Sequence, residues 1–467
     1  MYIGNYYFNF PAKPIALTPM SWAFVLFLLV SFAIYWLLPK KCRVYVLAIL
    51  SLIFVTSFSI FDLGFSLCFA LLVYGLGWFV SKHHKTISLA VCLIVVIEVL
   101  VCFKYSNEIG LGILRPLGLS FVSFKAISYI VDAYKGEKIS NNPFYTLAYL
   151  LFFPTITAGP IHRYRQFKAN LNDTSFDYLR ARDGGLRFVL GVFEKMVICD
   201  FVGSIVARAS LLNGANLLFS IFLYSLQIYL DFDSYSNIAI GCASMFGIET
   251  GENFKVPYLS INLQSFWRKW HISLSSFFRD YVYIPLGGNR KGKFRRYLNT
   301  IIVFVLSGIW HGSTLNYLFW GLLHGLFSAL ENIIASFIHL SNNKILRLIE
   351  ELALGIFNFL LVSFLWLFFR YVSFNEVIDV IKRLMIHETF SFTSIGLTNN
   401  EVIWFITLMV IYVISELLRK YLDLKALYHK MPFIIRWLFY ILLAFIFMIF
   451  AVYGSGHAAG DFIYQWF

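Results

Sequence analysis

Apolar runs of about 18 residues or more recur along this whole chain, each long enough to cross a hydrocarbon core of roughly 30 Å. Read as helices, they make the chain an all-α polytopic membrane protein. Composition agrees. Of 467 residues, 59% are hydrophobic and 13% charged, whereas a soluble domain is about half apolar and a quarter charged.

Periodicity and breaks place spans near Ser21–Leu38, Val44–Phe58, Leu63–Val80, Ile87–Phe103, Tyr145–Ala158 and Leu186–Val206. Others lie near Leu217–Phe246, Leu298–Trp310, Leu315–Leu340, Leu352–Val372, Val402–Leu418 and Phe433–Tyr453. That is about a dozen crossings or half-crossings, in one integral membrane domain from 1 to 453 followed by a tail, 454–467. The first run lacks the basic flank and small-residue cleavage site of a signal peptide and is read as retained. The six cysteines form no CxxC and read as reduced core residues.

The net charge of +13 does not point to nucleic acid, because the basic residues gather at the ends of apolar runs. They follow the positive-inside rule. With the N-terminus outside, Lys40, Lys41 and Arg43, then Lys82 and Lys85, face the cytoplasm. So do the clusters around Arg163–Arg182, Arg290–Arg296 and Arg419–Arg436, and the tail ends outside with the N-terminus. Lys382 and Arg383 depart from this pattern; "FNEVIDVIKRLM" reads as an interfacial amphipathic helix.

Polar residues at membrane depth must face protein or water, so they mark function by default. His311, in "LSGIWHGSTLNYLFWGLLHG", ends an apolar run between Gly308 and Gly312. A neutral imidazole there suits a general base; a buried histidine with satisfied hydrogen bonds is the competing reading. His324 reads as packing. In "FWRKWHISLSSFFRDYVYIPLGGNR", a period of 3.6 puts Trp267, Trp270, His271, Leu274 and Phe278 on one face of a single interfacial or re-entrant helix. Pro285 and Gly287–Gly288 then turn the chain. The following Arg290, Lys291 and Lys293 either set topology alone or hold the phosphates of a nucleotide-like donor. Asp231 and Asp233 sit two apart on different helix faces, which favours hydrogen bonds to neighbouring helices over a shared acid/base role. No HExxH, His/Cys cluster or GxSxG is present, so no metal site is expected.

Several blocks together resemble the membrane-bound O-acyltransferase superfamily, most closely its bacterial branch of alginate and peptidoglycan O-acetyltransferase membrane subunits. They are "GLSFVSFKAISYIVDAYKG" (Gly118–Gly136), "FFPTITAGPIHRYRQF" (Phe152–Phe167), "LDFDSYSNIAIG" (Leu230–Gly241), "ENFKVPYLS" (Glu252–Ser260), "SFWRKWHISLSSFFRDYVYIPLGGNRKG" (Ser265–Gly292) and "SGIWHG" (Ser307–Gly312). The resemblance implies a ring of transmembrane helices, with re-entrant and interfacial helices, around a central tunnel in a bacterial inner membrane. It implies acetyl-CoA as donor, an extracytoplasmic partner protein and a cell-surface polysaccharide acceptor. His311 matches the family's catalytic histidine and His271 its second motif histidine. The ending "FIYQWF" (Phe462–Phe467) resembles an aromatic motif whose tyrosine, here Tyr464, is proposed to carry the acyl group. An interfacial aromatic anchor is the competing reading.

On this basis His311 takes a proton from an attacking hydroxyl. Backbone amides near Gly308–Gly312 and the side chain of Asn316 are candidate oxyanion donors. Two rivals keep the same residues: D-alanyl-type transfer from a carrier-protein thioester, and a transporter or flippase of an acyl donor or glycan.

Overall fold

A computed structural model describes residues 16–173, 175–334 and 340–451. Among them the regular structure is helical. The backbone packs as two compact units. One holds residues up to Thr157, Arg163–Ala181 and Cys242–Ile248; the other holds Ala158–His162, Arg182–Gly241 and the chain from Glu249 onward.

The first unit is built from α1 (Trp22–Leu37), α2 (Arg43–Thr56), α3 (Ile60–His83), α4 (Thr86–Lys104), α5 (Leu119–Tyr134), α6 (Pro143–Leu150) and α7 (Tyr164–Asp173). Serine caps start α1 and α3: Ser21 accepts from the Phe24 amide and Ser59 from that of Asp62. Phe24, Phe27, Phe54 and Phe153 pack ring against ring, and the Arg43 guanidinium lies 4.4 Å from the Trp36 ring. Gly77 lets α3 meet α5, since a Cβ there would sit 2.4 Å from the Tyr129 ring.

The expected span Tyr145–Ala158 is not one helix. α6 has eight residues, too short to cross at 1.5 Å per residue. Beyond it the chain runs through a 3-10 turn, Phe153–Thr155. Irregular backbone at membrane depth survives only inside protein, and Leu151–Thr157 is buried throughout. Lys125, fully buried on α5, supplies donors there. Its ammonium reaches the Tyr149 and Leu150 carbonyls at 3.5 and 3.4 Å and Thr155 Oγ1 at 3.0 Å.

The second unit contains α8 (Tyr178–Phe193), which enters it at Arg182, a π-helical turn (Glu194–Cys199), α9 (Asp200–Ala209) and most of α10 (Gly214–Met245). There follow α11 (Leu263–Trp267), α12 (Ile272–Phe278), α13 (Lys293–His311), α14 (Leu315–Ile334) and α15 (Lys344–Arg370). The order ends with α16 (Phe374–Leu384), α17 (Asn399–Tyr421), α18 (Leu424–Lys430) and α19 (Phe433–Phe450).

Among the described residues six helices, α3, α4, α10, α15, α17 and α19, are long and apolar enough to cross a membrane. The expected span Leu186–Val206 is helical but interrupted by the π turn, and its buried side combines apolar residues such as Phe188, Val197 and Val202 with an ionic cluster. Lys195 bonds Asp231 at 2.6 Å and Asp200 at 2.9 Å. Arg419 on α17 bonds Asp233 at 2.9 Å. Asp231 and Asp233 thus serve two different partners, as their spacing requires. The amphipathic helix is present as α16, with Val377 and Val380 buried. Arg383 is no topology signal there: it donates to the Ser210 and Leu212 carbonyls that follow α9. The six cysteines are free thiols; Cys92, Cys199 and Cys242 are buried, whereas Cys68 is exposed.

Candidate functional site

The hairpin α13–α14 positions His311. Gly308 faces the Tyr317 carbonyl and Gly321 the Phe304 carbonyl so closely that a Cβ would lie 2.2 and 2.3 Å from those oxygens. Small residues at such spacing let membrane helices touch backbone to backbone. His311 ends α13, and Gly312 continues in extended backbone. A side chain at 312 would strike the Tyr317 ring at 2.5 Å. The imidazole, 4% exposed, is walled by aromatic rings: Trp310 at 4.5 Å, Phe369 at 4.9 Å and Trp320 at 5.2 Å, the last two edge-on. Asn316, at the start of α14, is buried, and its side-chain amide donates to the Tyr371 carbonyl at 2.6 Å. That bond ties the start of α14 to the end of α15.

His271 does not lie on a continuous helix, contrary to the expectation from periodicity. α11 stops at Trp267, and His271 takes a left-handed conformation, φ 44°, before α12. The break follows from competition for backbone bonds. Asn253 O accepts the Ile272 amide at 2.9 Å, and Lys269 O accepts the Lys255 amide at 3.0 Å, so the strap before α11 replaces the helical partners. The Asn253 side chain completes the clamp. Its oxygen accepts from Ser273 Oγ at 2.7 Å and lies 3.4 Å from His271 Nδ1, while its nitrogen donates to Ser236. The Phe232 ring meets the imidazole edge-on at 4.6 Å. Asn253 was not singled out in the sequence; its signal was a lone amide in the block "ENFKVPYLS".

A chain of buried rings joins the two histidines. It runs from His311 through Trp320, Trp366, Trp270, Phe254 and Phe232 to His271, with successive centroids 4.6–5.9 Å apart. His324 belongs to this cluster, as expected for packing, and also has a polar role. Trp267 Nε1 donates to its Nδ1 at 3.3 Å, and its ring stacks on Phe304. Glu331 on α14 accepts the first two amides of α11, Leu263 at 3.0 Å and Gln264 at 3.4 Å. This holds Trp267 against the hairpin.

Between α12 and α13 lies a narrow slot of about 170 Å³. Trp267, Leu274, Phe278 and Phe304 form its apolar walls. Arg279, Tyr283 and Ser307 are polar members of the lining. Ser307 and His311 are four apart on α13 and therefore share a face. The "PLGGN" turn adjoins the Tyr283 side: a Cβ on Gly288 (φ 54°) would touch the Tyr283 ring at 3.5 Å. Buried Asn299 braces the turn by donating to the Gly288 carbonyl at 3.0 Å. Arg290, Lys291 and Lys293 follow directly and are exposed. They do not line the slot. Arg279 does. Tyr464 lies outside the described residues. Among the described residues, no group of three or more His, Cys, Asp or Glu could hold a metal ion.

Helices of spanning length and an all-helical architecture among the described residues define an integral membrane protein. The chain belongs to the membrane-bound O-acyltransferase family, whose model matches residues 47–374. It is 34% identical over 304 residues to a probable alginate O-acetylase of Pseudomonas fluorescens, covering 64% of this chain and 60% of that protein. It is 32% identical over 348 residues to the peptidoglycan O-acetyltransferase of Helicobacter pylori, covering 65% of each. A teichoic acid D-alanyltransferase of Bacillus subtilis is 33% identical over 234 residues, 46% of this chain and 58% of that one. In these matches the chain spans 58–65% of its relatives' lengths.

Proposed function

We propose that this chain is an O-acetyltransferase of the bacterial inner membrane. It uses cytoplasmic acetyl-CoA to acetylate an extracytoplasmic polysaccharide of the alginate or peptidoglycan kind. The observation that carries the reading is the slot between α12 and α13. It adjoins the "PLGGN" turn, where Arg290, Lys291 and Lys293 can meet donor phosphates, and it includes Ser307, one turn from His311.

In this mechanism the thioester end of acetyl-CoA enters the slot. Neutral His311 takes the proton of an attacking hydroxyl, whose oxygen bonds to the carbonyl carbon. The amides of Gly308–His311 are engaged within α13, which leaves the remaining N–H of Asn316 as the candidate donor to the developing oxyanion. The C–S bond then breaks, and the coenzyme A thiolate takes the proton back from the His311 imidazolium. His271, clamped by Asn253, positions the break between α11 and α12 that carries Trp270. Tyr464 is the proposed first acceptor. A phenol has a pKa near 10, so it needs a base at neutral pH. Its ester then passes through a periplasmic partner protein to the polymer.

The experiment uses inside-out membrane vesicles supplied with acetyl-CoA labelled in the acetyl group. The expected result is chain-dependent release of coenzyme A, with label appearing as ester on the luminal side. Label carried inside with its thioester intact would instead identify a transporter. Release only from a carrier-protein thioester, with free coenzyme A failing to compete, would identify D-alanyl-type chemistry.

A further inference from the structure

We infer that the exposed face of α4 is a docking surface for a transmembrane helix of another protein, one that carries an Arg or Lys at the depth of Glu98. The inference rests on the membrane reading of the fold and is independent of the acyl-transfer reading. α4 is the most apolar of the six spanning helices. Glu98 lies twelve residues from its start and six from its end, roughly 18 and 9 Å at 1.5 Å per residue. The side chain is exposed and makes no hydrogen bond or ion pair among the described residues. Other acidic residues deep in the spanning helices are paired. Asp231 meets Lys195 at 2.6 Å, and Asp233 and Glu416 meet Arg419 at 2.9 and 2.7 Å. A carboxylate at membrane depth is costly unless it faces protein or water. Lys and Arg reach the interface on long apolar stems; the shorter glutamate stem does not span roughly 9 Å. Glu98 therefore requires a cover that the described residues do not supply.

The face around Glu98 has the spacing of a helix–helix seam. Ile87, Val91, Ile94, Glu98 and Val101 recur at intervals of four and three residues, and all are exposed. That is the a and d pattern of a coiled-coil seam, in which one polar residue sets register. Here β-branched aliphatic residues flank a single carboxylate. The opposite face of α4 already has its partners. Phe103 meets Phe65 of α3 at 4.8 Å, and Cys92 Sγ donates to the Leu76 carbonyl at 3.8 Å. In that antiparallel register Glu98 is level with Ala70 of α3, among Phe69, Leu71 and Leu72, so α3 offers it no cation. Charge complementarity selects the occupant. A second copy of this chain inserts with the same orientation, and a two-fold contact along the stripe brings Glu98 against Glu98, a like-charge pair. A guanidinium or ammonium on a different helix neutralises the carboxylate and satisfies its oxygens.

The test uses the purified full chain in phosphatidylcholine bilayers, with synthetic transmembrane helices as probes. Each probe is a Leu/Ala helix with a single variable residue, Arg, Leu or Asp, about 9 Å from one end. Association is read by energy transfer from a dye on the probe to a fluorescent tag on the chain's N-terminus. The Arg probe should bind wild type about threefold or more tighter than the Leu probe, the scale of one interhelical polar contact in a bilayer. Glu98→Gln should remove the preference at unchanged melting temperature, and Glu98→Arg should transfer it to the Asp probe. A photoreactive residue at position 94 or 101 should capture the Arg probe, and one at position 100, off the stripe, should not. Equal binding of the three probes by wild type, an Arg preference that survives Glu98→Gln, or capture from position 100 alone overturns the inference. Glu98-dependent self-association of the chain without probe also overturns it, by making a second copy the occupant. None of these outcomes bears on thioester cleavage, so the acyl-transfer reading stands or falls separately.

Discussion

Buried donors hold this fold together where helices end early, and Lys125 is the clearest case. Three oxygens from the chain around the end of α6 converge on its ammonium. Lys125→Met keeps the length and removes the donors. Leaving buried carbonyls without partners costs about 1–3 kcal/mol, so the variant should unfold at lower temperature in detergent, and α6 should gain hydrogen–deuterium exchange first. Glu252 gives a pH-dependent case outside the spans. Burial raises its pKa, but the two bonds and the charge of Arg187 outweigh that and hold it below the usual carboxylate range. Its contribution is therefore fully present above the ordinary glutamate value of about 4.3 and is lost as pH falls through the lowered one. Thermal unfolding between pH 7 and pH 3 should fall more for wild type than for Glu252→Gln. The difference should be small, because both partners are partly exposed.

At the element scale, the hairpin α13–α14 depends on glycine contacts that no side chain can replace. Gly308→Ala would drive a methyl into the Tyr317 carbonyl. It should separate the helices, displace His311 and lower both melting temperature and acetyl transfer. Gly355→Ala on α15 meets nothing within 4 Å and should be neutral or stabilising by up to about 1 kcal/mol. Equal effects of the two would remove the packing account. Sequence periodicity revealed most long helices, because apolar length is a local property. The runs Leu217–Phe246 and Val402–Leu418 correspond to α10, which starts three residues earlier and ends one earlier, and to α17, which extends three residues at each end. Periodicity failed where tertiary partners override it. Nothing local in "FWRKWHISL" shows that Asn253 will capture the Ile272 amide and break the helix at His271. The run Tyr145–Ala158 is apolar enough for a helix, yet Lys125 from another element satisfies an irregular turn there. The site was legible as isolated polar residues, His311, His271 and Asn316. The slot was not, because Arg279, Tyr283 and Ser307 come together only through packing.

For the whole molecule, the charge pattern and the site make one joint demand: the basic turn beside the slot must face the compartment that supplies the donor. In whole cells, a cysteine replacing Lys293 should resist a membrane-impermeant maleimide. One replacing Asn107, exposed between α4 and α5, should react. The reverse pattern would invert the topology and detach the turn from cytoplasmic donor. The proposed chemistry turns on His311 moving the proton during transfer from a thioester. The direct measurement is acetyl-CoA turnover in membrane vesicles by wild type and His311→Asn, at matched protein level and matched melting temperature. The account predicts a loss of about 10²–10⁴-fold, the usual contribution of a positioned base. Turnover by His311→Asn at the wild-type rate would contradict it.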